Sequence, residues 1–134
     1  MKRTIAIILL IILIIIFGFL SVIFLKNLNL KNEEQLSENI KNIGETVYSD
    51  YYYKIVSVDK TKEQLDTFLG KFSEMGLSFS LEELEKYSDD YKTTFDEYIK
   101  INKNCNKSQI MVAIYPKNPY SKSDFTSEIR KECN

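Results

Sequence analysis

Residues 5–25 read IAIILLIILIIIFGFLSVIFL, an almost unbroken apolar stretch directly behind Met1-Lys2-Arg3. From Thr4 to Leu25 there is no charged side chain, and a helix of that length reaches about 33 Å, slightly more than a bilayer's hydrocarbon core. A cleaved secretory signal carries a shorter apolar region, about 7–15 residues, before a small-x-small site. Here Gly18 and Ser21 are the only small residues near the end of the run, bracketed by Phe17, Phe19, Leu20 and Val22. No lipobox cysteine follows, because the first cysteine is Cys105. A core helix apolar on every side would need a larger domain to cover it. The stretch therefore predicts a retained single-span transmembrane helix over residues 4–25, in contact with membrane lipid, behind a cytoplasmic tail of residues 1–3. It carries no ionisable group and no pair of small residues four apart, which fits a passive anchor better than a pore or transport path.

What remains of the 134 residues is enough for one small domain. Beyond the apolar run lie 16 of the 18 basic residues and all 19 acidic ones, a net charge of −3. A weakly acidic chain without a basic stripe argues against nucleic acid as a partner. Lys2 and Arg3 flank one end of the span, and Lys26, Lys31 and Lys41 lie within about 20 residues of the other. The balance tilts towards an N-terminus inside and a C-terminal domain outside the cytoplasm.

The cysteines point the same way. Cys105 lies in the polar segment KNCNK and Cys133 in SEIRKECN, and histidine is absent from the chain. Neither a zinc site nor a Cys–His nucleophile can be built from these residues. Two readings remain, a disulfide or two buried thiols, and an extracytoplasmic domain favours the disulfide. Its closure of a long loop would contribute roughly 3–4 kcal/mol. A sequon, Asn106-Lys107-Ser108, adjoins Cys105, and such matches arise easily in an Asn-rich chain.

Along the rest of the chain, Leu36, Ile40, Ile43 and Val47 form one stripe of an amphipathic stalk helix over residues 26–47. It is suited to docking on its own domain or, secondarily, to self-association. YSDYYYKIVSVD is rich in Tyr, Val and Ile and reads as a strand with Tyr51, Tyr53 and Ile55 on one face and Tyr52, Val56 and Val58 largely on the other. A strand packed on both sides is the first reading, and a binding surface, with Tyr51 and Tyr53 as candidate partner contacts, the second. Thr61 with Gln64 and Ser80 with Glu83 are capping boxes for two helices. The first carries Leu65, Phe68, Leu69, Phe72 and Met75 and stops at Gly76. The second carries Leu84, Tyr87, Tyr91, Phe95 and Tyr98. LSFS, between them, is a connector or short strand. The carboxylates Glu82, Glu83, Glu85, Asp89, Asp90, Asp96 and Glu97 read as a solvated face, since no calcium-loop pattern is present. SQIMVAIYP predicts a central strand that Pro116 ends, and Phe125, Ile129 and Cys133 at spacings of four predict a closing helix.

The expected fold is α+β: a transmembrane helix followed by a small helix-rich domain, residues 48–134, with a minimal two- or three-stranded sheet. In this order of membrane helix, amphipathic stalk and small domain with a C-terminal cysteine pair, the chain broadly resembles a type IV pilin or pseudopilin. That resemblance implies an assembly subunit whose residues Leu36 to Val47 pack against neighbours. MKRTIAII departs from it, with neither a Gly-type processing site nor an early acidic residue, and the expected domain lacks the family's C-terminal strands. No nucleophile–base pair, metal cluster, cofactor motif or phosphate loop is present in the sequence. The expectation is accordingly a membrane-anchored, non-enzymatic interaction or envelope-structural protein with a protein partner. A pilin-like subunit and a tethered inhibitor or immunity-type protein, which would offer its acidic helix to a basic partner, are the alternatives.

Overall fold

The computed structural model describes residues 2–133, with side chains from residue 11 onward. The side chains of the tail expected at residues 1–3, and of the first apolar residues 4–10, lie outside them. Helix α1, Lys2–Val47, runs 46 residues without a break. The chain divides into two units after Gln35. In the first, every side chain from Ile11 to Leu30 is exposed, Phe19 at 72%. Among the described residues this is the helix long and apolar enough to cross a membrane, and none of its apolar window is buried inside the chain. A soluble core helix is thereby set aside.

The second unit, Leu36–Asn134, begins inside the expected stalk. After α1 come a π-helical turn (Tyr48–Tyr52), α2 (Tyr53–Ser57), α3 (Lys62–Gly70), β1 (Leu77–Ser80), α4 (Leu81–Leu84), a 3₁₀ turn (Glu85–Tyr87), α5 (Tyr91–Ile101), a second 3₁₀ turn (Lys107–Gln109), β2 (Ile110–Pro116) and β3 (Phe125–Lys131). The strands form one antiparallel sheet in the order β1-β2-β3. Leu77 pairs with Ile114, and Ile110 and Pro116 pair with Lys131 and Phe125. This is the expected α+β class. The central position expected for SQIMVAIYP is β2, where Ile110, Val112, Ala113 and Ile114 are wholly buried.

The end of α1 packs against this sheet through an absent side chain. A Cβ built on Gly44 would lie 2.5 Å from Val112 Cγ1, closer than real carbon atoms approach. Glycine, which costs a helix interior about 1 kcal/mol of propensity, is what lets α1 reach the sheet. Leu36, Ile40 and Val47 are then buried with Val112, Ile114, Leu81, Leu84, Phe95 and Tyr98, and Ile43 packs against the same cluster. Each such buried aliphatic side chain contributes about 1.5–3 kcal/mol of transfer free energy.

Three sequence expectations require correction. YSDYYYKIVSVD is helical, not a strand. Helix α1 already supplies the nucleus, and extending a helix is far easier than starting one, so the β preference of Tyr, Val and Ile is overridden. The π turn, in which the Tyr53 N–H reaches Tyr48 O, brings residues five apart together. Tyr48, Tyr52 and Tyr53 thus meet in one cluster, while Ile55 is left 71% exposed. The closing helix is instead strand β3. A spacing of four suits a helix and is also two periods of a strand, and the open side of β2 decides between them. Ahead of β3, the Ser123 N–H donates to Ser121 Oγ within the β2–β3 loop. The C-terminal part of the domain is therefore two paired strands, β2 and β3, where a strand and a helix were expected. The long helix from Leu81 is also divided, with Ser88 to Asp90 separating its two parts. Both capping boxes form as expected. Of the α3 stripe, Leu65 and Leu69 are buried, Phe68 and Phe72 are half-buried, and Met75 is exposed. Gly76 closes that segment at φ 78°, its N–H donating to Phe72 O at 2.9 Å.

Gly44→Ala should destabilise the second unit by about 1–3 kcal/mol, the usual cost of overpacking. In the background of Val112→Ala the same change should cost less, because the clashing methyl is gone. Urea unfolding of the four proteins followed by circular dichroism reads this coupling, and simple additivity would refute it.

Candidate functional site

Tyr48 stands at the centre of an aromatic cluster: its ring lies 5.2 Å from Phe125, 6.0 Å from Tyr52 and 6.3 Å from Tyr53, centroid to centroid. It is fully buried, and its hydroxyl has no hydrogen-bond partner among the described residues. Burial, then the neighbouring Tyr53 and Tyr52 and the Asp124 carboxylate, push its phenol well above the ordinary tyrosine range. The loop between β2 and β3 closes over this region. The Tyr53 hydroxyl donates to Tyr120 O at 3.2 Å, the Ser49 hydroxyl to Lys122 O at 2.9 Å, and the Lys62 ammonium to Pro119 O at 2.6 Å.

Elsewhere in the domain, Lys107, in the turn before β2, joins the 3₁₀ turn after α4 to α5. Its ammonium lies 2.5 Å from Glu85 and 2.6 Å from Asp96, and Lys92 adds a contact of 2.8 Å to Asp96. Hydrogen bonds from Lys107 and Lys92 hold the Asp96 carboxyl down at about 2. Two carboxylates of the expected solvated face are thus engaged, while Glu82, Glu83, Asp89, Asp90 and Glu97 remain exposed.

Cys105 and Cys133 are paired as a disulfide with their Cα atoms 5.2 Å apart. The bridge borders a shallow groove of about 430 Å³ that Ile101, Asn102 and Lys131 also line. On the solvent face of the sheet, Tyr115, Glu128 and Arg130 form a third cluster. The Tyr115 hydroxyl bonds both Glu128 and Arg130, and Arg130 Nε lies 3.0 Å from Glu128.

Of the partner contacts anticipated from the sequence, Leu36, Ile40 and Val47 are buried, Ile43 is packed on the core, and Tyr53 is half-buried under the β2–β3 loop. Tyr51 alone is exposed, at 44%, against the ring of Tyr87. The stripe is spent on the chain's own domain, the docking mode read first from its spacing. Sequence reasoning missed the Tyr48 cluster, the Lys107 ion network and the Tyr115–Glu128–Arg130 group. Only the last had a local signal, Glu128 and Arg130 two residues apart in FTSEIRK, and it was obscured by the helical reading. Among the described residues no three His, Cys, Asp or Glu side chains are grouped so as to hold a metal ion. Compared with protein-family models, curated proteins and solved structures, the chain has no match.

Two outcomes follow from these groups. Tyr48→Phe should raise stability by about 1 kcal/mol, because a buried hydroxyl without a partner pays its desolvation for nothing. The unfolded phenol ionises near pH 10 while the folded one stays neutral, so its contribution is complete below about pH 10 and declines above it. The variant should flatten the alkaline limb of a stability–pH curve; an unchanged limb, with lower stability, would contradict this. Asp96 has the opposite sign. Its folded carboxyl is depressed, so its contribution is present above about pH 4 and is lost as pH falls towards 2. Asp96→Asn should lower stability at neutral pH and remove part of the acid limb, as read by thermal unfolding between pH 2 and 7.

Proposed function

We propose that this chain is a single-pass membrane protein, N-terminus in the cytoplasm, that displays a small non-enzymatic α+β domain outside the cytosol as an interaction or envelope-structural module. The observation that carries this reading is the run of apolar side chains from Ile11 to Leu25, interrupted by no charge and exposed throughout among the described residues. Water solvates such a surface poorly, whereas lipid accepts it over its whole length. The Cys105–Cys133 pair supports the sidedness, because disulfides persist in oxidising compartments. Membrane fractionation with alkaline extraction, followed by protease treatment of intact cells and a non-reducing gel, tests both parts. The full-length chain should stay with the membrane, its domain should be accessible from outside, and its thiols should resist alkylation until reduced. Recovery in the soluble fraction with both thiols alkylated would defeat the reading.

A second reading, a pilin-like assembly subunit, is favoured by one specific observation. The last part of α1 packs on an antiparallel sheet closed by C-terminal strands, with cysteines flanking those strands. Crosslinking in the membrane would return ladders of the chain for this reading and short products for the first.

A further inference from the structure

The sheet ends at β3, with no strand paired beyond it among the described residues. Two backbone bonds bracket the β2–β3 ladder: Lys117 N–H to Asp124 O at 2.7 Å and Glu132 N–H to Gln109 O at 2.8 Å. With the register of this pair they set its parity. Thr126, Glu128 and Arg130 exchange hydrogen bonds with β2, while the N–H and C=O groups of Ser127 and Ile129 point away from the sheet. An outward row of donors and acceptors is a template for another strand, which proteins commonly blunt with charge. The charges here have an order that selects a partner.

We propose that β3 pairs antiparallel with β3 of a second copy of this chain, Ile129 opposite Ile129, joining two three-stranded sheets into one of six strands. The outward groups are satisfied only where odd-numbered residues face odd-numbered residues. Centring the pair on Glu128 sets two like carboxylates face to face. Centring it on Ser127 leaves Glu128 opposite Thr126 and needs Asp124, whose carboxylate already accepts from the Ser121 N–H. Centring it on Ile129 places each Glu128 opposite Arg130 of the second copy, twice, at the closely spaced positions where cross-strand ion pairs are most effective. Both side chains are open to solvent, Glu128 at 54% and Arg130 at 38%. In the new pair Glu128 gives up its contacts with Arg130 and the Tyr115 hydroxyl, and Arg130 those with Glu128, Tyr115 and the Met75 carbonyl. On the helix side, two half-buried Ile129 side chains meet. Lys131 of the second copy comes opposite Ser127, whose hydroxyl holds the Glu45 carboxylate. A groove of about 610 Å³ beside β3, bounded by Ser37, Lys41 and Tyr98, gives the incoming side chains room. Self-association thus moves from the stalk stripe, which is buried, to the sheet edge, and this surface does not depend on the membrane reading.

The full chain in mild detergent provides the test. Wild type should show a concentration-dependent dimer by analytical ultracentrifugation. Glu128→Arg and Arg130→Glu should each weaken it about tenfold or more, since both place like charges opposite one another. Mixed in equal amounts, these two variants should form a heterodimer, because every cross-strand pair is then opposite in sign; the contact between 128 and 130 within one strand remains like-charged in both. Hydrogen exchange of wild type supplies a measurement that does not rely on the variants folding. The Ser127 and Ile129 amides should become protected as concentration rises, while Thr126 and Glu128 are protected throughout. A monomer at every concentration, a dimer indifferent to both substitutions, a mixture that stays monomeric, or exchange at Ser127 and Ile129 independent of concentration would overturn the proposal.

Discussion

The compact part of this protein depends on how near α1 comes to β2. Gly44 lets the helix backbone approach the Val112 side chain to a distance that any Cβ would forbid. That approach places Leu36, Ile40 and Val47 within one cluster with the central strand and with α4 and α5. A small domain buries a modest fraction of its unfolded surface, so its last helical turns cannot be spared for a linker. The helix that continues from the apolar run is also a wall of the core.

The same contact explains the aromatic cluster. Once α1 is fixed against the sheet, the chain beyond Val47 must keep its Tyr-rich side on the core, and an ordinary α-helix would carry Tyr53 out of register with Tyr48. The π turn absorbs that mismatch. Tyr48 is left buried with an unmet hydroxyl, and the β2–β3 loop is drawn down by Tyr53, Ser49 and Lys62. Local irregularity and an unsatisfied polar atom thus have one geometric origin.

Much of this was legible from residues alone, and the failures share a cause. Capping boxes specify backbone bonds three residues apart, so Thr61 and Ser80 were readable without any tertiary knowledge. Apolarity on both faces marked β2 as central for the same local reason. The segment at 48–58 was misread because a preformed helix upstream overrides its β preference, and that at 125–131 because its spacing suits both periods and an open sheet side chose between them. Two cysteines without histidine left a disulfide or two buried thiols as readings, and the expected compartment, not composition, favoured the Cys105–Cys133 pairing that the structure has. The Lys107 network could not have been foreseen, because it joins side chains from three elements whose packing no short window encodes.

The bridge from Cys105 to Cys133 encloses β2, the loop after it and β3 in a single covalent ring. A protease that severed the exposed stretch at Lys117 or Asn118 would therefore release no fragment, for the severed ends stay linked through sulfur. The domain can be nicked at this exposed turn and still retain all of its mass, until a reductant arrives.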